Sequence, residues 1–527
     1  MSEKKSFILT ILFILILAAG TAAAVAHWTQ GAPDVTFRAA FCIALLFFGL
    51  GAVLWRWAGR GKTLLIMMLL ALGLRVAFGL ATVNLLPTYG HPNERREKQG
   101  FLFDDAWRRD AEAWAVTHEE DVSFTETLTR DYNNDQYGAL AVMSMWLYKY
   151  ISPDARRYTL IMLAGAFFSA LGLPFLWRAL NDRWGRRICL IGCWIFAVYP
   201  DAIFFSGSPM REPFLLGILC AAFWALSVMR EHRGRSLFIL VCCIAACLPF
   251  SSLVAAVLAG ISAAWFWAEM LIPRSKAWLW CGIILAVIGI LAAVIVALPA
   301  FREWIMYDIV TTETASGWVE RVVGEIGGQF RSLFVAVYGL TQPVLPAILV
   351  YPTAPACALE AGTCTTIYWK VVGIWRAAGW YILVPFLFYA VFSVLRIRDK
   401  QERGLMIVNA VFILVWMFIS SLRAGGDQFD NPRYRMIFLP WLAFFAAWGI
   451  DFALKRRDWW LIRWIAIEVI FLGFFTQWYV SRYGADIIRR FPFWKTVIYI
   501  CICSAVVFAT GLIGPVRKKI KEIKNKE

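Results

Sequence analysis

What most constrains this chain is the recurrence of apolar runs, each about twenty residues long, from one end of the sequence to the other. A bilayer core is crossed by roughly 20 residues of helix, because an unpaired backbone polar group in hydrocarbon costs several kcal/mol. A membrane β-barrel meets the same demand with strands that alternate apolar and polar residues. Stretches such as Ile283–Leu298 are apolar on every side, so the helical solution is the one expected. No polar segment is long enough to form a separate soluble domain. The expected fold is therefore an all-α polytopic membrane protein of about fourteen spans: 7–27, 36–56, 62–82, 158–177, 188–205, 213–230, 236–249, 251–271, 277–298, 375–395, 405–422, 436–454, 461–478 and 495–513.

The net charge of +16 does not point to nucleic acid, because the basic residues fall in short clusters between the apolar runs. That is how positive-inside signals are placed. With the amino terminus in the cytosol, the clusters around Arg56, Arg178, Arg230, Arg274, Arg396 and Lys455 all fall inside, as does the basic tail after Gly514. Both termini are then expected in the cytosol. The first run, although it ends in small residues as a signal peptide does, is read as a retained helix because another span follows at once. Two places strain the count. Residues 137–151 are apolar but short, and are read as an interfacial or re-entrant helix. The pair 236–249 and 251–271 is cramped around Pro249, and a re-entrant first member would invert everything after it. Most of the twelve cysteines lie within spans, where thiols behave as small hydrophobes.

Two long segments, 84–157 and 301–374, are expected on the outer face with surface helices of their own. In the first, Asn84–Gln136 holds twelve of the 36 acidic residues against six Arg or Lys. Its centre, GFLFDDAWRRDAEAWA, spaces Asp104 four before Arg108 and Asp105 four before Arg109, as on a short helix at the membrane surface. The second segment carries Cys357 and Cys364 in CALEAGTC, a pair suited to a disulfide on an oxidising face or else two unrelated thiols.

The polar candidates gather on that outer face. Asp104, Asp105 and Asp110 stand in the first loop, Asp201 follows Pro200, and Arg211 and Glu212 open the next span. Later, RAGGDQFDNPRYR brings Arg433, Tyr434 and Arg435 before another span. Ionisable residues near membrane depth are functional candidates by default, although those at loop boundaries can snorkel to water. Asp105 is either a catalytic carboxylate, a structural partner for Arg109 or a side chain simply exposed to solvent, with Asp104 its near equal. Asp201 is either an active-site group or a cap for the following turn. Guanidinium groups at Arg433 and Arg435 suit a phosphate or, equally, lipid headgroups. There is no nucleotide-binding fingerprint of the GxxxxGK[ST] or GxGxxG kind.

Four stretches together resemble the GT-C superfamily of membrane glycosyltransferases, in particular the bacterial branch related to protein O-mannosyltransferases and lipid A aminoarabinose transferases. They are FDDAWRRDAEAWA, WRALNDRWGRRICLIGCWIFAVYPDAIFFSGS, SGSPMREPFLLGILCAAFWAL and NPRYRMIFLPWLAFFAAWGI. The resemblance covers about 62–455, leaving 1–61 as an added helix pair and 456–527 as terminal helices with a basic tail. Trp107 and Trp114 depart from it, standing where small residues or tyrosine are common. It implies a sugar donor linked to polyprenyl phosphate, transfer on the outer face to a glycan, lipid or protein acceptor, and inversion at the anomeric carbon. Asp105 or Asp104 would match the first-loop carboxylate, Asp201 the second acidic position, and Arg433 or Arg435 a donor-phosphate contact, with Arg211, Glu212 and Tyr434 lining the substrate. Some relatives hold a divalent metal at paired carboxylates, which Asp104, Asp105 and Asp201 would imitate. Membrane lipids are the other expected partners. The rival readings are a transporter or flippase of lipid-linked saccharides and an O-antigen polymerase or ligase.

Overall fold

The computed structural model describes residues 3–29, 31–118, 138–272, 275, 280, 324, 331–353, 365–424, 427–483 and 490–524. These residues are helical apart from their connections and an isolated bridge between Thr353 and Thr365. Among them, nine helices are long and apolar enough to cross a membrane, or up to eleven if two bent pairs each count as one span. The chain is a multi-pass membrane protein.

It divides into two compact units, the first comprising 1–279 with 436–443 and the second 280–435 with 444–527. The helix pair of residues 1–61 lies in the first unit. The first unit opens with α1 (Glu3–Trp28), α2 (Pro33–Trp57) and α3 (Lys62–Tyr89). After the single turn α4 (Arg95–Lys98) come α5 (Asp104–Thr117) and α6 (Ala139–Tyr150). The acidic first-loop segment is thus helical where its spacing suggested, and 137–151 forms a helix too short to span. Next are α7 (Tyr158–Ala170), α8 (Gly172–Trp184), α9 (Arg186–Val198) and α10 (Pro200–Ser206). The unit continues through α11 (Glu212–Ser227), α12 (Arg233–Cys247) and α13 (Ser252–Phe266), which runs on as a π turn to Leu271.

Three details correct the expected spans. Residues 188–205 are two helices bent by 42° where Pro200 withholds an N–H donor, so Asp201 lies in the first turn of a second helix rather than near the end of one continuous span. The run 436–454 is broken at Phe438, where the helices Asp430–Ile437 and Leu439–Arg456 meet at a bend of 75°. Segment 236–249 becomes the 15-residue α12, short of the length that crosses a bilayer unaided. The span expected at 277–298, most of the 301–330 loop, and the Cys357–Cys364 pair lie outside the described residues.

Close approach in the first unit depends on small residues. A Cβ on Gly217 would stand 2.5 Å from the backbone oxygen of Phe168, so α11 and α7 touch through their main chains. The second unit holds α14 (Arg331–Leu340), α15 (Leu345–Val350), α16 (Ile367–Ser393), α17 (Lys400–Arg423), most of α18 (Asp430–Ile437) and of α19 (Leu439–Arg456), whose residues 436–443 fall in the first, then α20 (Trp460–Tyr483) and α21 (Phe493–Lys524). Asp399 caps α17 by accepting from the N–H of Glu402 at 2.9 Å.

Candidate active site

The approach to α5 is set by sterics. Gly100 has φ +79°, and a Cβ there would meet the Tyr158 hydroxyl at 2.6 Å, so only glycine fits the turn. Beyond it, Phe101, Leu102 and Phe103 are all buried. The Phe103 ring stacks on Phe205 with centroids 5.4 Å apart and meets Phe204 edge-on at 5.6 Å. These contacts lay the start of α5 on α10, the helix that carries Asp201.

One arginine makes the second tie. Arg109 is buried and donates through Nη1 to the carbonyl of Pro209 at 3.3 Å. Pro209 belongs to the turn joining α10 to α11, which leads into Glu212, while Asp201 stands at the far end of α10; each carboxylate is in the first turn of its helix and fully buried. A carboxylate in a first turn is favoured by the exposed N–H groups and the positive end of the helix dipole. Arg211 lies between them, 3.5 Å from Glu212 Oε1, and donates to the Phe250 carbonyl at 3.4 Å.

Asp105 sits one turn before Arg109 and therefore on the same face of α5. It is half-buried. Asp104 points elsewhere, pairing with Arg108 at 2.9 Å with both side chains more than two-fifths exposed. The helix thus separates two adjacent carboxylates that the sequence left almost equal.

Asp110 was named in the first loop but given no role, and it proves the most deeply embedded of the three. It is buried and accepts from the Tyr148 hydroxyl and from Arg156 Nε. Arg156 also donates to the Trp107 carbonyl at 2.9 Å and lies 5.4 Å over the Phe101 ring. Burial raises the Asp110 carboxyl above its usual range, against the opposing pull of Arg156 and the Tyr148 hydrogen bond. Burial, and then the neighbouring Asp110 charge, likewise pushes the Tyr148 phenol well up. The cue for Asp110 was its spacing: Ala106, Asp110 and Ala113 fall on one packed face.

Among the described residues no group of three or more His, Cys, Asp or Glu side chains could hold a metal ion. Asp104, Asp105 and Asp201 therefore do not form such a set.

In the second unit, Arg433, Tyr434 and Arg435 lie within α18 rather than ahead of a helix. Arg435 is buried, donates to the Gln342 carbonyl at 3.0 Å, and stacks 3.4 Å from the Trp380 ring centre. The carbonyls of Leu340 and Thr341 accept from Trp380 at 2.8 Å and Tyr381 at 2.9 Å. Arg435 thus helps clamp three successive carbonyls after α14. Arg433, also buried, faces Asp430 at 3.5 Å, and the Tyr434 carbonyl accepts from Trp416 at 3.2 Å.

Compared with models of known protein families and with curated proteins, the sequence matches none.

Proposed function

We propose that the protein is a membrane glycosyltransferase that moves a sugar from a polyprenyl-phosphate-linked donor to an acceptor at the α5 end of the first unit, with Asp105 as the acceptor-activating carboxylate. The supporting observation is the tie of α5 to the turn before Glu212 through Arg109, with half-buried Asp105 on the same helix face as Arg109. A general base needs partial shelter, so that its proton affinity suits the acceptor, and also access, so that the acceptor can reach it. Asp110 is buried and held by two donors, and Asp104, also half-buried, turns toward Arg108. Asp105, on the Arg109 face, is the one of the three that this reading takes as the base.

In this reading Asp105 takes a proton from the acceptor hydroxyl or amine as that group attacks the anomeric carbon. The bond to the lipid phosphate breaks on the opposite side, and the configuration inverts. Asp201 and Glu212 shape the wall behind the attacking group.

The test is glycosidic bond formation by the purified protein in liposomes holding polyprenyl-phospho-sugars. Asp105→Asn keeps size and most hydrogen bonding but cannot take the proton, so turnover is expected to fall by about 10²-fold or more while the protein still folds. Asp104→Asn is expected to stay near the wild type. Full turnover in Asp105→Asn, or sugar-lipid translocation with no new glycosidic bond, overturns the reading.

A further inference from the structure

At the opposite end of the first unit from the candidate site, α1, α2, α3 and α7 enclose a cleft of about 520 Å³. Its cause lies in the sequence of α1. The buried residues of that helix are Ala18, Ala22, Val25 and Ala26, small side chains in its second half that let it press against its neighbours. The first half presents Leu9, Phe13, Ile14 and Leu17 instead, and these hold it away from α3. The far wall is stiffened by Phe167, stacked on Phe47 at 5.2 Å and edge-on to Phe48 at 4.9 Å.

Water has no reason to enter. Thr10 supplies the one hydroxyl of the lining, and the Trp55 indole N–H is already given to the Gly61 carbonyl at 3.0 Å. A cavity of roughly 150 Å³ with such walls holds a benzene-sized ring and stays dry, so this one has room for far more hydrocarbon. The lining on α2 runs from Phe47 to Trp55, a rise of about 12 Å.

The mouth of the cleft is the α2–α3 turn, which carries Arg56, Arg60 and Lys62, all exposed. The turn is held firmly. Gly59 has φ +99° and Arg60 φ +57°, the Arg60 N–H donates to the Trp55 carbonyl at 3.0 Å, and Arg178 donates to the Trp57 carbonyl at 3.0 Å. Arg178 is itself paired with Asp182 at 2.8 Å, which leaves the three residues of the turn as the positive surface. Trp57 meets Trp224, near the C-terminal end of α11, at 4.9 Å, whereas the candidate site lies at the N-terminal end of α11.

We propose that this cleft holds the hydrocarbon chains of one anionic phospholipid, with its headgroup phosphate against Arg56, Arg60 and Lys62. The apolar walls select hydrocarbon, and the basic mouth selects an anionic headgroup over a helix from a partner or a second copy. The bound lipid fills the wedge between the first half of α1 and α3, fastening the added helix pair to the rest of the unit. The proposal stands independently of the glycosyltransferase reading.

Native mass spectrometry tests it, with the protein purified in micelles holding equal amounts of phosphatidylglycerol and phosphatidylcholine. The wild type is expected to retain one phosphatidylglycerol in clear preference to phosphatidylcholine. Ala52→Phe puts a ring into the cleft and is expected to lose the lipid; Ala52→Leu, with less bulk, carries the test should the larger variant fail to fold. The double variant Arg56→Gln/Lys62→Gln is expected to keep a lipid but to lose about tenfold or more of the preference for phosphatidylglycerol. Equal retention of both lipids by the wild type overturns the proposal. So does undiminished phosphatidylglycerol on the folded Ala52 variants, or a dimer cross-linked through α1 in place of a bound lipid.

Discussion

Asp110 combines a role in holding α5 with a pH signature. Its two donors, Tyr148 and Arg156, come from α6 and from the connection before α7, so one carboxylate joins three segments. Because burial raises its folded-state pKa above the ordinary 3.8, the native state holds a proton that the unfolded state releases. The linked stability is then fully present below 3.8 and is lost as pH rises through the raised value. Thermal unfolding is therefore expected to shift downward for the wild type as pH climbs from 3.8, by an increment that Asp110→Asn lacks. Parallel pH curves for the two proteins would remove Asp110 from this role. Asp110→Ala, which strips a buried carboxylate from Arg156, is expected to cost about 3–5 kcal/mol at neutral pH. Little of this could be foreseen from the sequence. The alanine spacing marked the face, but the partners stand 38 and 46 residues further on, and local periodicity carries no information about them. The division of labour between Asp104 and Asp105 was closer to the surface, since Arg108 and Arg109 follow each at one helical turn. What could not be read was that Arg109 would spend its donor on the Pro209 carbonyl.

The bend between α9 and α10 shows how an element is stopped and then supported. Pro200 lacks the N–H that would have satisfied the Phe196 carbonyl, and Tyr199 turns to an extended conformation, so the last carbonyls of α9 lose their helical donors. Arg75, fully buried in α3, replaces them. Its guanidinium donates to the carbonyls of Ala197 at 3.1 Å and Phe196 at 3.3 Å, to Ala71 at 2.9 Å and to the Ser169 hydroxyl at 3.1 Å. The proline and the arginine are complementary. Arg75→Met is expected to destabilise the protein by about 3 kcal/mol, since several buried acceptors lose their donor together. In a Pro200→Ala background the cost is expected to shrink by about 1 kcal/mol, because the Phe196 carbonyl regains a helical N–H. Strict additivity in a double-mutant cycle of unfolding free energies would show that the two are not coupled. The proline told the sequence reader where a helix ends. The expected span 188–205 ran on through PDAIFF, but nothing in it told that the chain bends by 42° there and starts a separate helix, because seven residues are too few for a periodic signal. An arginine in the middle of an apolar run gave no hint of which carbonyls it serves.

At the scale of the whole chain the question is parity. Nine helices of the described residues are long enough to cross, and the two bent pairs bring the number to eleven. The short helices α11 and α12 decide the rest. At one end, Arg211 at the start of α11 reaches the Phe250 carbonyl, just past α12, at 3.4 Å. At the other, Arg183 donates to the Ser227 carbonyl at the end of α11 at 2.9 Å and pairs with Glu269 near the end of α13, which Arg230 also meets at 3.1 Å. α12 therefore retraces the length of α11, and α13 returns along it. With a rise of about 22 Å against a hydrocarbon core of about 30 Å, α12 crosses only where the bilayer thins around it. Counting α11 and α12 with the eleven gives thirteen crossings among the described residues. The apolar run at 277–298, which lies outside them, would make the number even. Reporter fusions at the two termini are accordingly expected on the same side of the membrane, and the basic clusters assign that side to the cytosol. Fusions after Arg230 and after Ser251 are expected on opposite sides, because α12 separates them. If those two agree, α12 does not cross. If they differ while the termini fall on opposite sides, the missing crossing is 277–298.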